Sequence, residues 1–140
     1  MTMEIPIKDK SNYLKGLLIV AKKDKQLADS EKRIIRGIGE KLGFASDFYE
    51  DVLKDLLSNE YILEDPIKFS NIKIAKSFID DGLKLAYSDN KISDVEIGWL
   101  SETARHNDID TSWFNDKLEY YKNSKSSFSM SDFALYSIIG

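Results

Sequence analysis

An all-α domain made of two pseudo-equivalent three-helix repeats is predicted by two features of the chain. The first is a self-match, sought before any propensity because a repeat governs the architecture. Ala21-Lys-Lys-Asp24-Lys-Gln-Leu27-Ala-Asp29-Ser-Glu31 aligns with Ala86-Tyr-Ser-Asp89-Asn-Lys-Ile92-Ser-Asp94-Val-Glu96 at an offset of 65, with four identities and one Leu/Ile match in eleven positions. The same offset, without a gap, pairs Leu14 with Ile79, Leu18 with Leu83, Ile35 with Leu100, Phe44 with Ile109, Phe48 with Trp113 and Leu53 with Leu118. The second feature is apolar spacing at i, i+3, i+4 and i+7, the period of helices and not of strands. Neither copy could bury its apolar stripe alone, so the two are expected to pack into one helical bundle.

The first repeat spans about 11–58 and the second about 70–123. In the first helix of each, Leu14, Leu17, Leu18 and Ala21, or Ala75, Phe78, Ile79 and Leu83, form a buried stripe. Ile34, Ile35, Ile38 and Leu42 form the second helix, which Gly43 can end in a left-handed turn; Ile97, Leu100 and Ala104 are its counterpart. Ser46 and Thr111 are candidate caps for third helices through Phe48, Val52, Leu53 and Leu56, or Trp113, Phe114, Leu118 and Tyr121. Adjacent aromatics such as Phe48-Tyr49, Trp113-Phe114 and Tyr120-Tyr121 cannot both face inward on one helix, so one of each pair is expected at the surface. Residues 59–69 contain Pro66, which cannot continue a helix, and serve as connector. The tail, 124–140, begins serine-rich, and its last ten residues can form a short helix capped by Ser131.

Composition excludes several functions. With 140 residues, 42% hydrophobic and 31% charged, and a net charge of -4, the chain is expected to be a single globular domain. Zero cysteines remove disulfides, thiolate metal sites and thiol nucleophiles, and suit a reducing, cytoplasmic setting. The single histidine, His106, has no catalytic partner at a recognisable spacing and sits where a cation favours a helix C-terminus, so no enzyme is expected. The longest apolar run, Leu17 to Ala21, is too short for a membrane span, and the first ten residues lack a signal-peptide core. The lysines and arginines around the first repeated turn read as a solvated face, and no nucleic-acid motif accompanies them.

The repeated turn carries the chemistry. Asp24 and Glu31, and again Asp89 and Glu96, stand seven apart across a short helix-helix connection, with Asp29 and Asp94 between them. Converging carboxylates suit a hard cation, calcium or magnesium, although the 12-residue EF-hand pattern fails because Leu100 stands where its glutamate belongs. The second repeat is the better cation site, because Asn90 tolerates a left-handed turn and adds an oxygen whereas Lys25 places a cation beside the carboxylates. A capping reading competes: Ser93-Asp94-Val95-Glu96 is a capping box in which Glu96 satisfies a helix N-terminus without metal.

The repeated Ala-x-x-Asp-x-x-(Leu/Ile)-x-x-x-Glu, followed by an Ile-rich helix ending in Lys41-Leu42-Gly43-Phe44, resembles the tellurite-resistance TerB-like family over Tyr13 to Tyr121. The resemblance implies a small cytoplasmic, stress-related helical module whose suspected metal ligands match Asp24, Glu31, Asp89 and Glu96. The alternative is a metal-independent protein-interaction module, of the co-chaperone or stress-complex kind, that binds a protein partner through an exposed aromatic patch.

Overall fold

The computed structural model describes residues 5–22, 29–58, 65–87, 94–123 and 134–135, and among them the only regular structure is helical. Six helices follow one another: α1 (Ile7–Lys22), α2 (Asp29–Lys41), α3 (Ser46–Ser58), α4 (Ile72–Tyr87), α5 (Asp94–His106) and α6 (Thr111–Asn123). Each boundary in the first three recurs 65 residues later in the last three.

α1 and α4 form the centre. They cross against each other, α2 and α3 pack on α1, and α5 and α6 pack on α4. Burial explains this placement. The expected Leu14, Leu17, Leu18 and Ala21 are joined by Tyr13, Ile19 and Val20, and α4 is buried without interruption from Asp81 to Ala86. A helix that is buried on nearly every side has to lie between others. α2 and α5 show single buried stripes, Ile34, Ile35 and Ile38, continued by Leu42 just past the helix, in one and Trp99, Leu100 and Ala104 in the other. Ile97, expected in the core, is only half-buried, and Trp99 takes the inward position. In each adjacent aromatic pair one ring is the more exposed: Phe48, Trp113 and Tyr120 lie outside Tyr49, Phe114 and Tyr121. The side chains of Val52, Leu53 and Leu56 lie outside the described residues.

The ends of α2 and α5 are built alike. Gly43, at φ 91°, donates to Glu40 O and Phe44 donates to Gly39 O, which closes a Schellman turn on otherwise unbonded carbonyls. Asp108, at φ 58°, and Ile109 make the corresponding bonds to Arg105 O and Ala104 O. The third helices begin at Ser46 and Thr111 themselves, because the Ala45 carbonyl accepts from Phe48 and the Asp110 carbonyl from Phe114. The two hydroxyl residues therefore occupy the first helical position, one residue inside the cap expected from the sequence.

The connector does more than span. Ile67 and Phe69 are buried, and Asn107 makes three bonds there, two to the segment and one to α5. Its Nδ2 donates to Ile67 O (2.7 Å) and Thr103 O (2.8 Å), and its Oδ1 accepts from Phe69 N (2.8 Å). Asp9 at the start of α1 accepts from the Ser70 amide (3.1 Å) and hydroxyl. Asn71 then caps α4, its Oδ1 accepting from Ile74 N (2.9 Å), so the helix begins only at Ile72. α1 begins at Ile7, ahead of the boundary near residue 11 read from the sequence.

Candidate functional site

Of the acidic residues in the repeated turns, Asp24 and Asp89 lie outside the described residues, as does Ser93 of the capping box. Asp29 and Glu31 fall in the first turn of α2, but their side chains are likewise outside the described residues. Asp94 is exposed at the start of α5, and Glu96, in the same first turn, is 1% exposed. Among the described residues no three His, Cys, Asp or Glu side chains converge on a point that could hold a metal ion.

The structure instead assembles a polar cluster on α4 that the spacing of the turns did not reveal. Asp81 is fully buried. Tyr13 of α1 donates its hydroxyl to Asp81 Oδ2 and lies 2.9 Å from Ser77 Oγ. From the other side the backbone amides of Ala134 and Leu135 donate to Asp81 Oδ1 (2.5 Å) and Oδ2 (3.0 Å). Lys84, one turn along α4, stands 3.7 Å from Asp81 and 3.3 Å from Asp80. Asp80 in turn accepts the Tyr121 hydroxyl and has Lys117 at 3.7 Å. Two carboxylates thus face two ammonium groups, a balance that the low-dielectric interior requires.

Burial dominates the electrostatics. It pushes the Asp81 carboxyl up to about 6 from an ordinary 3.8, against the opposing pull of the Tyr13 hydroxyl, Lys84 and the two amides. Burial also drives the Tyr13 phenol well above its usual range, with the Asp81 charge adding to the effect. The Tyr121 phenol rises for the same first reason, reinforced by its bond to Asp80. Both tyrosines therefore act as hydrogen-bond donors at neutral pH. The cluster is a fastening: Asp81 joins α1, α4 and residues 134–135. One signal in the sequence pointed to it. Ile74, Phe78, Asp81 and Leu85 share one helical face, so an acid stands on an apolar stripe.

A second polar surface lies on the outer side of α6. Asp116, Glu119, Tyr120 and Asn123 line a solvent-open depression of about 520 Å³. Tyr120 is 66% exposed, and its ring meets Tyr121 edge-on at 5.2 Å. Asn123 Nδ2 donates to Glu119 Oε1 at 3.2 Å, which orients that carboxylate along the rim.

Comparison with known proteins finds no family model, no curated protein and no solved structure that matches this chain. No helix of the described residues is long and apolar enough to cross a membrane.

Proposed function

We propose that the chain is a small cytoplasmic, stress-related module of the TerB-like kind that works by binding a protein partner and not by catalysis. Its two halves are read as pseudo-equivalent three-helix units packed about the α1–α4 crossing, a reading supported by the recurrence of helix boundaries and Schellman turns at an offset of 65.

The observation that carries the interaction reading is the α6 face, where a large exposed ring stands beside two carboxylates. A guanidinium or ammonium group over a tyrosine face gains about 0.5–1 kcal/mol at an exposed site. Carboxylates on the rim add charge-assisted hydrogen bonds, for which arginine has the best geometry. The net charge of -4 favours encounter with a basic partner. The partner surface is therefore a basic, arginine-containing segment. Titrating a fluorescent arginine-rich peptide into wild type, Tyr120→Ala and Glu119→Gln tests this. Both changes are expected to weaken binding, and wild-type affinity is expected to fall with salt. Equal binding by all three would refute the reading.

A second reading, divalent-cation binding by the repeated acidic turns, is favoured by Glu96, a carboxylate 1% exposed in the turn of helix that follows Asp89. Calcium or magnesium at millimolar concentration would then raise the melting temperature of the wild type but not of a chain carrying Asp89→Asn with Glu96→Gln. A wild type indifferent to both ions leaves the acidic turns as helix caps.

A further inference from the structure

The fastening at Asp81 draws on both sets of three helices and on a segment outside them. Gly16 occupies the position 65 residues before Asp81, and there the ring of Phe78 closes the helix crossing with no side chain opposite. At Asp81 the crossing is closed by a segment that arrives from beyond α6. The rest of the seat comes from the helices: Tyr13 and Lys84 flank the carboxylate from α1 and α4, and its oxygens accept two consecutive amides. What enters is simple in its chemistry. Ala134 contributes only its backbone to the bonding, and Leu135 inserts a side chain that is fully buried. Any segment with two free amides and a leucine on the second satisfies such a seat, and a second copy of this chain supplies one of identical sequence.

We infer that the Asp81 seat is a segment-binding site, filled in cis by the chain's own residues 134–135 and able to take the same segment from a second copy. The eleven-residue step from Asn123 to Ala134 reaches at most about 36–40 Å when extended, which sets how near the second copy's seat has to lie. Exchange of identical elements is a low-cost route to a dimer, because each contact broken in cis is remade in trans. The site is distinct from the α6 face, and its test does not depend on basic-peptide binding.

The probe is a fluorescent synthetic peptide with the sequence of residues 124–140, added to the full chain. Leu135→Asp releases the cis segment by placing an acid in the apolar core that buries the leucine, and this variant is expected to bind the peptide at least tenfold more tightly than wild type. Adding Asp81→Asn to that variant is expected to abolish the binding, and a scrambled peptide is expected not to bind. Peptide binding that survives Asp81→Asn, equal binding of the scrambled peptide, or no binding by a Leu135→Asp chain with native helix content overturns the inference. If Leu135→Asp does not fold, hydrogen exchange on the wild type decides. The Ala134 and Leu135 amides should exchange faster than that of Leu85 in the α4 core, and equal rates would show that the segment leaves only on global unfolding.

Discussion

Gly16 and Phe78 share one volume at the crossing of α1 and α4: a Cβ on Gly16 would overlap Cζ and Cε1 of the phenylalanine, with Ile67 Cδ1 at 3.3 Å. Tyr13 and Asp81 are the counterpart, since Tyr13 stands 65 residues before Phe78 and Asp81 stands 65 after Gly16. In each pair an aromatic ring reaches across the crossing to the other helix. Where the ring ends in a hydroxyl it meets a carboxylate; where it ends in carbon it meets a glycine.

That overlap makes Gly16→Ala destabilising by about 1–3 kcal/mol, the usual cost of overpacking a core, in spite of alanine's higher helix propensity. Phe78 cannot yield, because the rings of Tyr13, Phe69 and Trp99 surround it. Gly98, on the exposed face of α5 with nothing near its missing Cβ, is the control. Gly98→Ala should stabilise by about 0.5–1 kcal/mol. Urea melts of both variants measure the contrast.

Asp108 holds a left-handed φ of 58° that Gly43 adopts freely in the equivalent turn. Asp108→Gly is expected to add about 0.5–1 kcal/mol by relieving that conformation, and Gly43→Ala to remove about 1–2 kcal/mol by imposing it. Thermal melts of the two variants should therefore shift in opposite directions.

Asn107 satisfies three backbone groups at once, two of them in the connector. Asn107→Ala leaves Ile67 O, Thr103 O and Phe69 N to find other partners, at a cost of about 2–4 kcal/mol. Hydrogen exchange should show the Phe69 amide losing more protection than amides in α2, which Asn107 does not touch.

Asp81 makes stability depend on pH in the direction opposite to a salt-bridged surface carboxylate. Its native carboxyl titrates near 6, above the ordinary 3.8, so the charged form carries a cost above pH 6 that is relieved as pH falls towards 4. Between pH 7 and 5 the wild type should gain about 1 kcal/mol relative to Asp81→Asn, which has no proton to take up. Denaturant melts of both chains across that interval give the difference directly, and parallel profiles would refute it.

Helix class and order were legible because burial on one face leaves a 3.6-residue period in the sequence, as in Ile34, Ile35, Ile38 and Leu42. The left-handed stop at Gly43 was legible for a similarly local reason, since glycine adopts that φ without a Cβ penalty. Helix starts were read less well: a carbonyl such as that of Asp110 makes the first bond and carries no side-chain signature.

The amino-acid sequence by itself determined that this chain is helical, where its helices end and that its first half is echoed in its second, because those properties follow from neighbours within one turn or from a fixed offset. Only the tertiary structure decided which groups Asp81 and Asn107 bind and that Tyr120 stands exposed. Asp81 gains its meaning from Tyr13 and Leu135, 68 and 54 residues away, and Asn107 from Ile67, 40 away. A polar side chain states its capacity for hydrogen bonds in the sequence, but its partners are chosen by which backbones the packed helices bring within 3 Å.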